Sequence, residues 1–500
     1  MGRLVSSMIS VRHADVRYGA GPEAARAPLA LEDLCVEVPR GRLTLLCGAS
    51  GSGKSTALQL LNGLVPHFHS CEVTGQVLVN GVDVPRADIA DTGRTTASVF
   101  QNPRTQFFTS DVASELAFQG ENYGLPPAEI IDRAERAAGQ VGIAHLLDRS
   151  LTQLSGGELQ KVACAQAIAA GTEVLLFDEP TSSLSPEAIE EFAGLLSRLR
   201  AAGRTIVVAE HRVYFLRGLV DHVLVLSGGR VVRRMGGAAF FSLDDAERRE
   251  LGLRTLTRPA GVRGPVRRAR ASAAAASGLE VEDLSFSYRR GEVLRIDHLR
   301  IPAGQVTAVV GPNGAGKSTL AKVLCGLATP GRATHIRLDG RETTPRSRIA
   351  DSYIVMQDVH RQLFSDTVAG EVTLGLSEAQ AHALDVHALL ADLSLDELAD
   401  RHPLSLSGGQ KQRLVIASAI ACRKRVYVFD EPTSGVDHRH LVEISAHLRS
   451  LAASGAVVLL ISHDLELLDE CADAVLTVHP LADVPAGAEQ VTLEPSGRNS

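Results

Sequence analysis

Gly48-Ala49-Ser50-Gly51-Ser52-Gly53-Lys54-Ser55-Thr56 reads G-x-x-x-x-G-K-[ST], the pattern of a loop that wraps a polyphosphate. The run Leu43-Thr44-Leu45-Leu46-Cys47 before it has the length of a buried strand, and Ala57-Leu58-Gln59-Leu60-Leu61 after it opens a helix. The chemistry needs that order of strand, loop and helix. Glycines admit positive φ, so backbone N–H groups and the helix N-terminus can face one anion. In this reading Gly48, Ser50, Gly51, Ser52, Gly53 and Thr56 line a bound nucleotide's phosphates, Lys54 reaches the β- and γ-phosphates, and the Ser55 hydroxyl ligates Mg²⁺. The pattern returns at Gly311-Pro312-Asn313-Gly314-Ala315-Gly316-Lys317-Ser318-Thr319, behind Val306-Thr307-Ala308-Val309-Val310. There Gly311, Asn313, Gly314, Ala315, Gly316 and Thr319 take the lining role, Lys317 the phosphates and Ser318 the metal. The chain is therefore an internal duplication, and that settles its organisation before any local argument.

Further motifs recur in both halves. Val174-Leu175-Leu176-Phe177-Asp178-Glu179-Pro180-Thr181 mirrors Val426-Tyr427-Val428-Phe429-Asp430-Glu431-Pro432-Thr433. In each, an apolar strand ends in two acids. The first, Asp178 or Asp430, can hold Mg²⁺ with its waters, and the second, Glu179 or Glu431, can take a proton from attacking water. Buried adjacent acids are costly without such a partner. His211 and His463 each stand just past an apolar strand, behind Glu210 and Ser462, and can hydrogen-bond a γ-phosphate. Gln101, in Val99-Phe100-Gln101, and Gln357, in Val355-Met356-Gln357, can ligate Mg²⁺ through the carbonyl and orient a water. Ser155-Gly156-Gly157-Glu158 and Ser407-Gly408-Gly409-Gln410 each lead into a long apolar helix, either as an anion cradle or as a plain serine N-cap with loop glycines. Tyr18 and Tyr288 either stack on an adenine face or are half-buried strand tyrosines. Spacing separates the set from coincidence: Ser155 to Asp178 and Ser407 to Asp430 are both 23 positions, and Asp178 to His211 and Asp430 to His463 are both 33.

With 500 residues the chain is too long for one core, and the duplication divides it into two large domains, expected at 8–250 and 280–480. A hydrophobic fraction of 45% and a charged fraction of 22% are ordinary for a globular chain, and a net charge of −7 gives no global preference for nucleic acid. The seven cysteines are scattered, with no C-x-x-C, which argues against a zinc site, an iron–sulfur site or a disulfide framework. No run of about 18 apolar residues is present to span a membrane, and the N-terminus lacks the apolar core of a secretory signal. Residues 251–279 carry six arginines and no acid, ending in an alanine run, which reads as a linker; 481–500 read as a loose tail. Segments 111–153 and 365–403 read as helical, with Ile130, Ile131, Ala134, Ala137 and Val141 at helix spacing as a core-facing stripe.

The order of these motifs resembles the ATP-binding-cassette ATPases, and the resemblance covers nearly the whole chain except linker and tail. It implies two tandem P-loop nucleotide-binding domains, each with a RecA-like α/β core, an antiparallel β edge and a helical subdomain. It also implies ATP and Mg²⁺ as cofactors and an intramolecular head-to-tail pairing around two ATPs. One site would combine Lys54, Ser55, Gln101, Asp178, Glu179 and His211 with Ser407, Gly408, Gly409 and Gln410. The other would combine Lys317, Ser318, Gln357, Asp430, Glu431 and His463 with Ser155, Gly156, Gly157 and Glu158. Within the superfamily, Phe100-Gln101-Asn102-Pro103 with Gln106, then Asp111-Val112 and Glu115-Leu116, is similar to the energy-coupling-factor importers of vitamins, cobalt or nickel. Thr367-Val368 and Glu371-Val372 continue that pattern in the second half. That resemblance implies a transmembrane coupling subunit docked beside the glutamine loops, a substrate-capturing membrane protein, and a place on the cytoplasmic face of the membrane; no nucleic-acid partner is expected.

Two positions depart from the family pattern. Ser185 stands where the second half has Asp437, and Glu210 stands where the second half has Ser462. The competing readings are a twin-cassette factor acting on ribosomes or nucleic acid, and a sugar-importer ATPase. The first usually has a long charged helical linker and the second one degenerate half. Here the linker is rich in Arg, Ala, Gly and Pro, and both halves keep their phosphate loop and acid pair.

Overall fold

The computed structural model describes residues 7–19, 28–182, 184–259, 277–289, 291–356, 359–433, 435–485 and 488–495. Gln357, residues 260–276 of the expected linker and the last five residues lie outside them. The chain divides into two compact units, Met1–Arg258 and Pro259–Ser500, one for each phosphate loop.

The first unit contains β1 (Ser7–Tyr18), β2 (Leu31–Pro39), β3 (Leu43–Gly48), β4 (Cys71–Val73), β5 (Gln76–Val79), β6 (Val82–Asp83), β7 (Thr96–Val99), β8 (Val174–Asp178), β9 (Thr205–Ala209), β10 (His222–Ser227) and β11 (Arg230–Gly236). They sort into two sheets. One is antiparallel, ordered β2-β1-β5-β6, with β4 also on β1. The other is ordered β11-β10-β3-β9-β8-β7 and is parallel up to its antiparallel β11 edge. All of β3 is buried, as a parallel strand covered on both faces must be. Alternation along the strand decides what each residue meets. Leu43, Leu45 and Cys47 pack on the side of helix Pro186–Ala201, with Leu195 and Leu196. Leu46 faces the other way, into a cluster with Leu60 of helix Lys54–Leu61 and with Val11 and Leu34 of the antiparallel sheet. Helices Val112–Asn122, Pro127–Val141 and Gly156–Ala169 enclose a third cluster containing Val112, Leu116, Ala137 and Val162. Of the expected stripe, Ala134 and Ala137 are buried but Ile131 is exposed.

The second unit repeats the plan. It contains β12 (Gly278–Tyr288), β13 (Gly291–Pro302), β14 (Val306–Val310), β15 (His335–Leu338), β16 (Arg341–Glu342), β17 (Ser352–Val355), β18 (Val426–Asp430), β19 (Val457–Ile461), β20 (Ala474–Val478) and β21 (Val491–Pro495). The antiparallel sheet is ordered β13-β12-β15-β16, and the mostly parallel one β17-β18-β19-β14-β20-β21. In both units the phosphate-loop strand lies inside the parallel sheet, and the motif residues follow the carboxyl ends of its strands. Ligands of open α/β sheets bind at that edge.

Two boundaries read from the sequence need correction. The linker does not begin at 251: Leu253 and Leu256 are buried in the core beside Phe240 and Val220, and Arg217 donates to the Leu256 carbonyl at 3.2 Å. The density of arginines concealed two core leucines. Nor is 481–500 a loose tail throughout. β21 pairs antiparallel along β20, as β11 does along β10, and completes the duplicated sheet. Gln490 pins it: 1% exposed, it accepts from the Arg295 N–H at 2.7 Å and donates to the Val293 and His479 carbonyls at 2.9 and 3.0 Å.

Candidate functional site

Each phosphate loop turns on a glycine immediately before its lysine. Gly53 and Gly316 both sit at φ 100°, and a Cβ there would lie 2.8 Å from Leu31 and Leu294 respectively, so a side chain meets both strain and a clash. Helices Lys54–Leu61 and Lys317–Leu324 start at once, and their first-turn N–H groups line the loop. Lys54 is buried. Its ammonium donates to the Gly48 and Ala49 carbonyls at 3.1 and 3.0 Å and lies 3.1 Å from His211 Nε2. Lys317 donates in the same way to Gly311 and Pro312, at 2.7 and 3.0 Å, and burial lowers its pKa. The Ser52 hydroxyl is buried with no hydrogen-bond partner among the described residues, an open valence inside the loop that suits a phosphate oxygen.

The acids meet the loop from β8 and β18. Ser55 Oγ donates to Asp178 at 3.1 Å, and Ser318 Oγ to Asp430 at 2.9 Å. Each pair sets a hydroxyl and a carboxylate side by side, hard oxygen donors of the kind Mg²⁺ takes beside a polyphosphate. Glu179 and Glu431 follow at φ 46° and 52°, a left-handed backbone that costs a glutamate about 1–3 kcal/mol. The same left-handed step recurs at equivalent positions of the two halves. Burial pushes the Asp178 carboxyl up to about 6, partly opposed by its bond from Ser55 and by Lys54. Burial pushes Glu179 up to about 8, against the pull of Lys54 and with the push of Asp178 and Glu210. Gln101 Nε2 donates to Glu179 at 2.7 Å, and His211 Nε2 lies 3.4 Å from the other carboxylate oxygen. Lysine, serine, glutamine, two acids and histidine, drawn from four strand ends, thus converge in the first unit. In the second, Glu431 accepts from the His463 N–H at 2.9 Å and from Ser462 Oγ at 3.1 Å; Gln357 lies outside the described residues.

The other expected residues have local partners. Ser155 and Ser407 are true N-caps, closed by capping boxes with Glu158 and Gln410, which explains the acid or amide three places on. Among the described residues, neither cap shares a hydrogen bond with the lysine-centred cluster of its own unit. The Tyr18 hydroxyl contacts Thr56 and Gln59 at 3.2 and 3.1 Å, tying β1 to the phosphate-loop helix, and Tyr288 is half exposed. Ser185 and Asp437 both cap the helix that follows them.

Burial gives a structural role to two acids that the sequence reading quoted only for their family pattern. Glu115 is fully buried and accepts from the Phe108 and Thr109 N–H groups at 3.0 and 2.9 Å and from Gln166 at 2.7 Å. Glu371 holds Phe364 and Ser365 the same way, at 2.8 and 2.7 Å. Each acid fixes a phenylalanine that stands in the open, Phe108 at 74% and Phe364 at 76% exposure. The repeated Glu was visible in the sequence, but its burial depends on helices distant in the chain.

One family model, described as ABC transporter, matches residues 31–182 and again 294–434. A Treponema denticola protein provisionally named an ABC transporter ATP-binding protein is 38% identical over 94% of this chain and 95% of its own. A Bacillus subtilis protein, YkoD, provisionally named for the ATP-binding role in HMP/thiamine import, is 32% identical over 90% of this chain and 86% of its own. A solved structure of ribosome-bound archaeal Pelota and ABCE1 aligns with TM-score 0.66 and 23% identity over 93% of this chain and 76% of that one, a likeness of fold alone. With one family matched in both halves, around converging phosphate loops and acid pairs, the chain belongs to the ABC transporter family as an ATPase with two cassettes.

Proposed function

We infer that the chain powers a membrane importer of the energy-coupling-factor type, for a vitamin or a transition-metal ion. The observation that carries this reading is the pair Phe108 and Phe364. Each stands just past a glutamine loop, exposed at 74% and 76%, on a backbone held by a buried glutamate. A large aromatic offered to solvent on a braced loop is an anchor for a partner's pocket. The same anchor in both halves fits a membrane subunit with two contacts. No described helix is long and apolar enough to cross a membrane, so the partner would supply the span and hold the chain at the cytoplasmic face. The name of the Bacillus subtilis relative points to import of a vitamin precursor.

In the proposed chemistry Lys54 and Lys317 hold the β- and γ-phosphates, while Tyr18 and Tyr288 meet the adenine. Ser55, Asp178 and Gln101 would hold Mg²⁺ in one site; Ser318, Asp430 and Gln357 would do so in the other. When bound, the ion neutralises charge building on the phosphates. Glu179 and Glu431 take the proton of the attacking water, and His211 and His463 hydrogen-bond the γ-phosphate. Ser155, Gly156, Gly157 and Glu158, like Ser407, Gly408, Gly409 and Gln410, complete the opposite half's site when the cassettes pair head to tail.

The test is purification of the tagged chain from native membranes in mild detergent, with mass spectrometry of bound proteins and small molecules. A multispan membrane protein is expected with the parent chain and lost with Phe108→Ala/Phe364→Ala, while ATP turnover of the isolated chain stays within about twofold. Recovery of ribosomes in place of a membrane protein overturns the reading.

A further inference from the structure

The two units brace the loop around their histidines with different residues. In the second unit three side chains share the task. Asp464 accepts from the Thr433 hydroxyl at 2.7 Å, Ser462 Oγ accepts from the Asp464 N–H at 3.0 Å, and Glu431 accepts from the His463 N–H at 2.9 Å. In the first unit one side chain does all of it. Glu210, 3% exposed, accepts from both the Thr181 hydroxyl and the Thr181 N–H, the latter at 3.1 Å. Its second oxygen accepts from the N–H groups of His211 and Arg212, at 2.7 and 3.1 Å. Thr181, Glu210, His211 and Arg212 correspond one for one to Thr433, Ser462, His463 and Asp464. The bracing carboxylate has therefore moved from the residue after the histidine to the residue before it.

Among the described residues, the acids at the two strand ends are bonded to that loop differently. In the second unit Glu431 is tied to the loop, by Ser462 through one oxygen and by the His463 N–H through the other. In the first unit the His211 N–H is taken by Glu210, and Glu179 is turned to the Gln101 amide at 2.7 Å, with the His211 ring 3.4 Å from its other oxygen. A carboxylate that accepts several N–H and O–H donors makes charge-assisted bonds, about twice as strong as neutral ones, and holds a loop firmly.

We propose that Glu210 is a positioning residue. It takes over the backbone of the histidine loop, and so leaves Glu179 directed at the glutamine and the histidine ring. The inference rests on Glu179 being the base of its site. It further holds that the brace can sit on either side of the histidine, because both units reach the same threonine.

The experiment uses the full chain and measures ATP turnover, KM for ATP and melting temperature for four proteins: the parent, Glu210→Ser, Glu210→Ser/Arg212→Asp and Glu179→Gln. Glu210→Ser should lower kcat about tenfold, with KM for ATP moving less than about twofold. Transplanting the second unit's pair, as Glu210→Ser/Arg212→Asp, should restore the parent's melting temperature but leave kcat at least about fivefold low, because that pair ties Glu179 to the loop as Glu431 is tied. A double variant that regains the parent's kcat together with its melting temperature shows a merely structural brace and overturns the proposal, as does an unchanged kcat in Glu210→Ser. Should Glu210→Ser fail to fold, Glu210→Gln, which keeps the shape and one acceptor, takes its place with the same expectations. Undiminished turnover in Glu179→Gln would instead remove the base on which the proposal depends.

Discussion

Glu179 and Glu431 occupy equivalent strained positions; among the described residues Glu179 meets Gln101 and the His211 ring, and Glu431 accepts from Ser462 and the His463 N–H. If each is the base of its site, changing both to Gln keeps shape and one acceptor oxygen while abolishing proton uptake. Phosphate release should fall roughly 10²- to 10⁴-fold, with nucleotide retention on a filter assay unchanged. Cysteines offer a second check at this scale. Burial pushes the Cys47 and Cys164 thiols up to about 12 and Cys325 up to about 11. The thiolate is the reactive form, so raising the pKa lowers its fraction at pH 8 to a negligible level. Titration of the native chain with a thiol reagent at that pH should leave these three unmodified while Cys35 reacts, and denaturant should expose them all. Rapid labelling of Cys47 would mean that β3 is not the buried centre of its sheet.

At the scale of the element, the strand ends were legible because phosphate chemistry imposes local patterns: Gly53 before Lys54, Asp178 and Glu179 after four apolar residues, Ser155 with Glu158 three places on. What escaped the reading has no local pattern. β21 lies in a segment of mixed composition, and only its pairing with β20 and the buried Gln490 make it a strand. Leu253 and Leu256 were masked by neighbouring arginines, and Glu115 and Glu371 stood only as part of a family pattern, with no sign of their burial. The strand's contribution can be measured. Gln490→Ala removes the partners of the Arg295 N–H and of two carbonyls, and each buried group left unsatisfied costs about 1–3 kcal/mol before water relieves it. A loss of 1–3 kcal/mol in total corresponds to about 2–10 °C in a unit of this size. The second unit should melt earlier by that amount in calorimetry, and the first should not change.

For the whole molecule, each unit draws its core from its own chain: one from clusters built on β3, β9 and the helix Pro186–Ala201, the other from clusters built on β14, β19 and the helix His438–Ala453. Residues 1–258 and 259–500 made as separate proteins should each fold and bind ATP. If the cassettes pair head to tail, neither half alone has a complete site, and turnover should be at least about tenfold below that of the intact chain. Mixing the halves should recover it, with a dependence on concentration that the intact chain lacks. Full turnover by either half alone would show that its site needs no residues from the other.

The left-handed backbone at Glu179 and Glu431 sets stability and activity against each other at a single codon. Glycine adopts that conformation without strain and places no acid in a buried site. Glu179→Gly, which gives up the part-buried bond from the Gln101 amide, should therefore melt at or above the temperature of the parent while turning over less ATP. A selection for heat resistance alone would drift toward glycine there, so a thermostabilisation campaign on this chain has to fix both positions before it begins.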